Sequence, residues 1–155
     1  MNEILGGMDA SGKRFVIVVS RWNELVTKEL LEGALSEFAR HGVNNLEVVH
    51  TPGTWEIPVV VKGVLSRSQP PHGVVALGCI LQGQTPHAKL LGSDVSGALM
   101  GLQVEFGVPV AWGVLTPDTQ EQALERAGLK FGNKGREAAA AAIEMSSVLD
   151  QVSAG

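Results

Sequence analysis

From Leu77 to His87 the chain reads LGCILQGQTPH. An apolar run ends there, and glycines, a threonine, a proline and a histidine follow before the pattern turns helical. Gly83 lets the backbone bend and come near a ligand. Thr85 can accept a backbone N–H of a first helical turn. Pro86 suits the first helical position, where its missing N–H costs nothing. His87 then falls in that first turn, placed to accept and return a proton. Free N–H groups and the positive end of a helix dipole attract an anion. The hinge therefore predicts an anion site with a histidine beside it, although an ordinary capped helix with a surface histidine would use the same residues.

Three tryptophans extend the argument. Trp22 lies in Arg21-Trp22-Asn23 and Trp55 in PGTWE (52–56), each directly after an apolar run, and Trp112 sits in VPVAWGVLT (108–116). Such rings pack in cores, but two of them in loops after strands offer a stacking surface for a planar heteroaromatic ligand. Other chemistries lack their patterns. His41, His50, His72 and His87 show no metal-ligand spacing, so no metal site is predicted. Cys79 reads as a small buried apolar residue. There is no GxSxG elbow, and GNKGRE (132–137) lacks the spacing of a GxxxxGK[ST] phosphate loop.

The elements that must hold these residues alternate in type. FVIVVS (15–20), LEVVHT (46–51), VVALGCIL (74–81) and VPVAWGVLT (108–116) read as strands, and their continuous β-branched runs suit burial on both faces of a parallel sheet. Helices are expected over 23–41, with Leu31, Leu35 and Phe38 on one face, then over 58–66, 86–106, 119–127 and 136–152, with a turn at 132–135. The five alanines at 138–142 favour close helix packing. Residues 1–13 read as an arm, and 14–155 as one domain. The order βαβαβαβαα predicts a three-layer αβα sandwich around a four-stranded parallel sheet. Ligands of such sheets bind beyond the C-terminal strand ends, where the hinge and the tryptophans gather.

Composition narrows the function. The 155 residues carry 45% hydrophobic and 18% charged side chains, a low charge content that suggests a surface partly covered by other copies. A net charge of -4 with no basic run argues against nucleic acid. No apolar stretch approaches a membrane span of about 20 residues, and residues 1–14 lack a signal-peptide pattern. One cysteine suits a reducing compartment, so a cytoplasmic protein is expected.

RWN, PGTWEIP, LGCILQGQTPH, VPVAWGVLT, ERAGLKFGNKG and AAIEM occur in order from residue 21 to residue 145. In these motifs the chain resembles the 6,7-dimethyl-8-ribityllumazine synthase family of riboflavin biosynthesis. The resemblance implies a flavodoxin-like fold and no cofactor. It implies condensation of 5-amino-6-(D-ribitylamino)uracil with 3,4-dihydroxy-2-butanone 4-phosphate, releasing phosphate and water. By motif, Trp22 would stack on the pyrimidine, Thr54, Trp55 and Glu56 would contact ring and ribityl chain, and Cys79, Ile80 and Leu81 would supply backbone contacts. Gln84 and Thr85 would hold phosphate, His87 would transfer protons, Arg126 would pair with phosphate, and Lys134 would lie near the site. Trp112 would reach the site of a neighbouring subunit. A pentamer is implied, with a shell of twelve pentamers favoured by the short turn before the last helix; the N-terminal arm could add a strand to a neighbour's sheet. The chain departs from the family pattern at Gln82, Pro86, Ala88 and Lys89, and Trp22 replaces the more frequent Phe. A non-catalytic flavin or lumazine carrier, and a cage whose catalysis has decayed, remain alternatives on the same scaffold.

Overall fold

The structure, a computed structural model, describes residues 1–83, 86–130 and 132–155. Strands β1 (Arg14–Ser20), β2 (Asn45–Thr51), β3 (Gly73–Cys79) and β4 (Val110–Leu115) form a parallel sheet in the order β2-β1-β3-β4. Helices α1 (Glu24–Arg40), α2 (Ile57–Leu65), α3 (His87–Phe106), α4 (Gln120–Arg126) and α5 (Lys134–Ala154) complete the layers expected from the alternation. Every residue of β3 is buried, as a central parallel strand covered on both faces requires.

The strand period of two divides the core. Phe15, Ile17 and Val19 of β1 join Val75 and Leu77 of β3 against α1 and α5. Val16 and Val18 join Val74 and Ala76 against Ile57 and Val61 of α2 and Val95 and Leu99 of α3. In α1 the fully buried line is Val26, Leu30, Ala34 and Phe38, while Leu31 and Leu35 are only partly covered. The Phe38 ring packs on Phe15 with centroids 4.8 Å apart, and this contact turns the helix one residue from the expected face. In α5, Ala138, Ala139 and Ala142 are buried in the core shared with α1, in keeping with the packing expected of the alanine run.

Several boundaries differ from expectation: β3 ends at Cys79 and not at Leu81, β4 runs over Val110–Leu115 and not 108–116, and two helix starts shift. The expected turn at 132–135 is shorter, because Asn133 caps α5: its Oδ1 accepts from Arg136 N at 3.0 Å, and the helix already begins at Lys134. Pro86 is the N-cap of α3 and not its first helical residue; Thr85, the expected cap, lies outside the described residues. Residues 1–13 form neither helix nor strand and run along α5 of the same chain. Gly7 N donates to Ser147 Oγ at 2.9 Å, Gln151 Nε2 donates to Leu5 O at 2.8 Å, and Lys13 Nζ meets Asp150 at 3.0 Å. Ala10 in this segment is fully buried.

Candidate active site

Strand order reverses between β1 and β3, and a cavity of about 700 Å³ opens beyond their C-terminal ends. Trp22 and Asn23 line it after β1, Gly53 to Glu56 after β2, Cys79 to Leu81 at the end of β3, and His87, Ala88, Leu90, Leu91 and Asp94 along α3. Trp22 and Trp55 are 72% and 67% exposed, leaving ring faces free for a planar ligand.

The backbone explains how these groups meet. Arg21 N and Trp22 N donate to Thr51 O and Pro52 O at 2.8 and 3.2 Å, tying the loop after β1 to that after β2. Thr54 is buried across the sheet end because Gly78 has no side chain: a Cβ there would lie 2.6 Å from Thr54 Cγ2. Pairing with the β4 side continues past β3, with Ile80 N to Leu115 O at 2.8 Å and Gln82 N to Pro117 O at 2.9 Å. Gly83 also makes room for a neighbouring loop. A Cβ there would sit 2.7 Å from Asp118 O, so this glycine admits the loop after β4.

The charge of the cavity is one-sided. Glu56, Asp94 and His87 are its ionisable acid–base side chains apart from Cys79, and no Lys or Arg lines it among the described residues. Burial pushes the Cys79 thiol up to about 11, so it stays protonated at neutral pH and is no thiolate nucleophile. Among the described residues no three His, Cys, Asp or Glu side chains gather as a metal ion would require.

Of the residues expected at the site, Trp22, Thr54, Trp55, Glu56, Cys79, Ile80, Leu81 and His87 come together. Gln84 and Thr85 lie outside the described residues. Three do not line the cavity of the single chain. Trp112 lies in edge strand β4, in a separate recess with Gln82, Lys89, Gly92, Ser93, Ser96 and Thr116. Arg126 ends α4 and is exposed, and Lys134 begins α5 and is half-buried. Lys89 shares the Trp112 recess, so it does not line the cavity that His87 enters. Asn23, Gly53, Leu91 and Asp94 also line the cavity, although the sequence does not single them out. Asn23 and Gly53 stand inside the RWN and PGTWE motifs, and Leu91 and Asp94 follow His87 at four and seven residues, one helical face.

With this geometry in hand, likeness to known proteins is decisive. The chain matches the 6,7-dimethyl-8-ribityllumazine synthase family over residues 12–150. It belongs to that family. The 6,7-dimethyl-8-ribityllumazine synthase of Protochlamydia amoebophila (strain UWE25) is 44% identical over 155 residues, covering 99% of this chain and 90% of the relative. Among solved structures, a de novo designed Rossmann fold protein, 17% identical, covers 71% of this chain and 90% of that one with a TM-score of 0.43, too low to argue from. Family membership makes the chain an enzyme of riboflavin biosynthesis that forms the lumazine.

Proposed function

We propose that the tryptophan-lined cavity at the β1/β3 edge is where this condensation occurs. The observation that carries the reading is the meeting of Trp22, Trp55, Glu56, the Cys79–Leu81 backbone and His87 around one opening at the point where strand order reverses. Trp22 stacks on the pyrimidine. Thr54, Trp55 and Glu56 contact the ring and ribityl chain, and Cys79, Ile80 and Leu81 offer backbone groups. Gln84 and Thr85 hold the phosphate of the second substrate.

The chemistry asks little of a nucleophile. The 5-amino group of the pyrimidine attacks the ketone carbon, and loss of water leaves an imine. A proton leaves the adjoining hydroxyl-bearing carbon and phosphate departs from the next one; the enol left behind tautomerises to a new carbonyl, the ribityl-bearing nitrogen closes on it, and a second dehydration completes the ring. Each step moves protons, which is the role assigned to His87. Holding two substrates in register accounts for more of the acceleration, about 7–11 kcal/mol at best.

One substrate carries a phosphate, yet the described cavity wall holds carboxylates and no Lys or Arg. Arg126 and Lys134 lie elsewhere on the chain, and a neighbouring copy brings its Arg126, Lys134 and Trp112 to the opening. That reading makes the chain a pentamer in the cytoplasm, with twelve pentamers closing into a shell. Apolar residues exposed on α2 and α3 (Val59, Leu90, Met100 and Val104) support burial by another copy. Residues 1–13 act as an arm to the domain of 14–155.

Lumazine absorbance with both substrates is the test. Arg126→Ala should raise KM for the phosphorylated butanone by roughly 10–100-fold, the value of a lost charged hydrogen bond, with KM for the pyrimidine little changed. Oligomers mixed from His87→Ala and Arg126→Ala protomers should outperform either variant alone. No gain on mixing would mean that one chain supplies both groups. Light scattering that finds only pentamers would remove the shell.

A further inference from the structure

We propose that Asn23 is a positioning residue that determines which backbone groups of the third strand meet the pyrimidine. The inference deepens the reading of the cavity given above and rests on it. Asn23 has φ 64 and ψ 48, and among the described residues no other non-glycine has positive φ. Asn tolerates this left-handed conformation better than most residues. It stands at the N-cap of α1, where an Asn side chain ordinarily accepts a backbone N–H of its own helix. Here it makes no such bond. Its Nδ2 instead donates to Cys79 O at 2.8 Å, across the sheet end to β3. Because a carbonyl only accepts, the amide nitrogen must be the atom facing it, which settles the orientation of the carboxamide.

The consequence follows from strand geometry. Along an extended strand, the N–H and C=O of successive residues point to opposite sides. Ile80 N and Gln82 N donate toward the β4 side, to Leu115 O and Pro117 O. Cys79 and Leu81 therefore present their peptide groups toward the β1 side, where β1 has already ended at Ser20. Asn23 occupies the Cys79 carbonyl. Among the described residues the Leu81 N–H and C=O have no partner, and Leu81 lines the cavity. An adjacent donor and acceptor match a ligand with neighbouring N–H and C=O groups in one plane, as the pyrimidine ring has. With its carbonyl free, Cys79 would offer a competing acceptor one step back, and the loop carrying Trp22 would lose its only side-chain tie to β3 among the described residues.

Two variants test this. Asn23→Asp keeps the size and the tolerance for positive φ but removes the donor and sets a carboxylate against the carbonyl. Asn23→Gly keeps the backbone conformation and removes the side chain. Both should raise KM for the pyrimidine, Asp roughly tenfold or more and Gly less, while KM for the phosphorylated butanone moves less than about twofold and kcat falls less than KM rises. Quenching of tryptophan fluorescence by the pyrimidine alone should weaken in parallel. The proposal is overturned if pyrimidine KM and quenching match wild type in the glycine variant, or if both KM values and kcat shift together with melting temperature, the mark of a merely structural residue. The cavity reading fails separately if wild type shows no pyrimidine-dependent quenching.

Discussion

The two faces of the sheet are closed by different means. On the α1/α5 face, Phe38, Leu30, Ala139 and Ile143 meet the sheet inside one core. Its rim carries polar ties as well. The Glu37 side chain, only 8% exposed, meets His41 Nε2 at 2.7 Å, with Arg40 and Arg136 at 3.7 and 3.8 Å, and Asn133 Nδ2 reaches Glu29 O at 2.9 Å. The α2/α3 face is equally buried toward the sheet, but its outer side leaves Val59, Leu90, Met100 and Val104 in solvent. Buried carboxylates need partners, and one face supplies them within the chain. Large apolar side chains also need cover: α2 and α3 expose the four just named, and α1 and α5 expose Leu25, Met145 and Val152. The cavity opens next to α3 and the loop after β2, beside Leu90 and Trp55.

The comparison breaks most readily at the open face. Val104→Glu should convert the assembly to smaller species by light scattering and lower activity by about 10²–10⁴-fold, as a site deprived of two charged contacts from a neighbour would. Far-UV circular dichroism should stay unchanged. Lys28→Glu, a charge change on exposed α1, should leave size and activity as they were. Equal losses in the two variants would erase the distinction between the faces. Phe38→Ala should invert the pattern, costing about 3–5 kcal/mol of stability in denaturant titration while KM of the folded enzyme holds. His87→Ala should then lower kcat by about 10²-fold with the melting temperature intact. Complete loss of turnover in a folded protein would show that the histidine does more than ferry protons.

Much of this is legible in the chain because burial on both faces leaves a strong mark. FVIVVS and VVALGC announce β1 and β3 by their unbroken apolar runs, and Trp22 and Trp55 follow the ends of β1 and β2 by two and four residues, too few to carry them away from the edge. The face of α1 lies one residue from the one its pattern suggests, because Leu31 and Leu35 look as apolar as Leu30 until the Phe15–Phe38 contact fixes the rotation. The start of α5 is hidden in sequence because Asn133 serves a cap and a turn equally well. Asn23 looks like an ordinary capping asparagine, and its bond to Cys79 O spans 56 residues, beyond any local pattern. Trp112, Arg126 and Lys134 cannot be set at the cavity from one chain, since their proposed place depends on the geometry between copies.

The finest test concerns how the open side is fastened to the sheet edge. Arg67, just after α2, donates to Glu47 of β2 through both terminal guanidinium nitrogens, Nη2 at 2.9 Å and Nη1 at 3.2 Å. The hydrogen bond from Arg67 holds the Glu47 carboxyl below its ordinary value of 4.5, outweighing a small opposing effect of burial. A carboxyl whose folded value is depressed contributes stability above its unfolded value, and that contribution is lost as pH falls through the folded one. Both side chains are nearly half exposed, at 45% and 48%, so solvent screening limits the pair to about 0.2–1 kcal/mol. Arg67→Met should therefore lower the melting temperature at pH 7 by no more than about 4 °C. The gap to wild type should narrow in high salt and close as Glu47 becomes protonated in acid. A gap that survived acid and salt would mean that the arginine stem packs against the sheet edge and that α2 is held there by apolar contact, as α1 and α5 are on the other face.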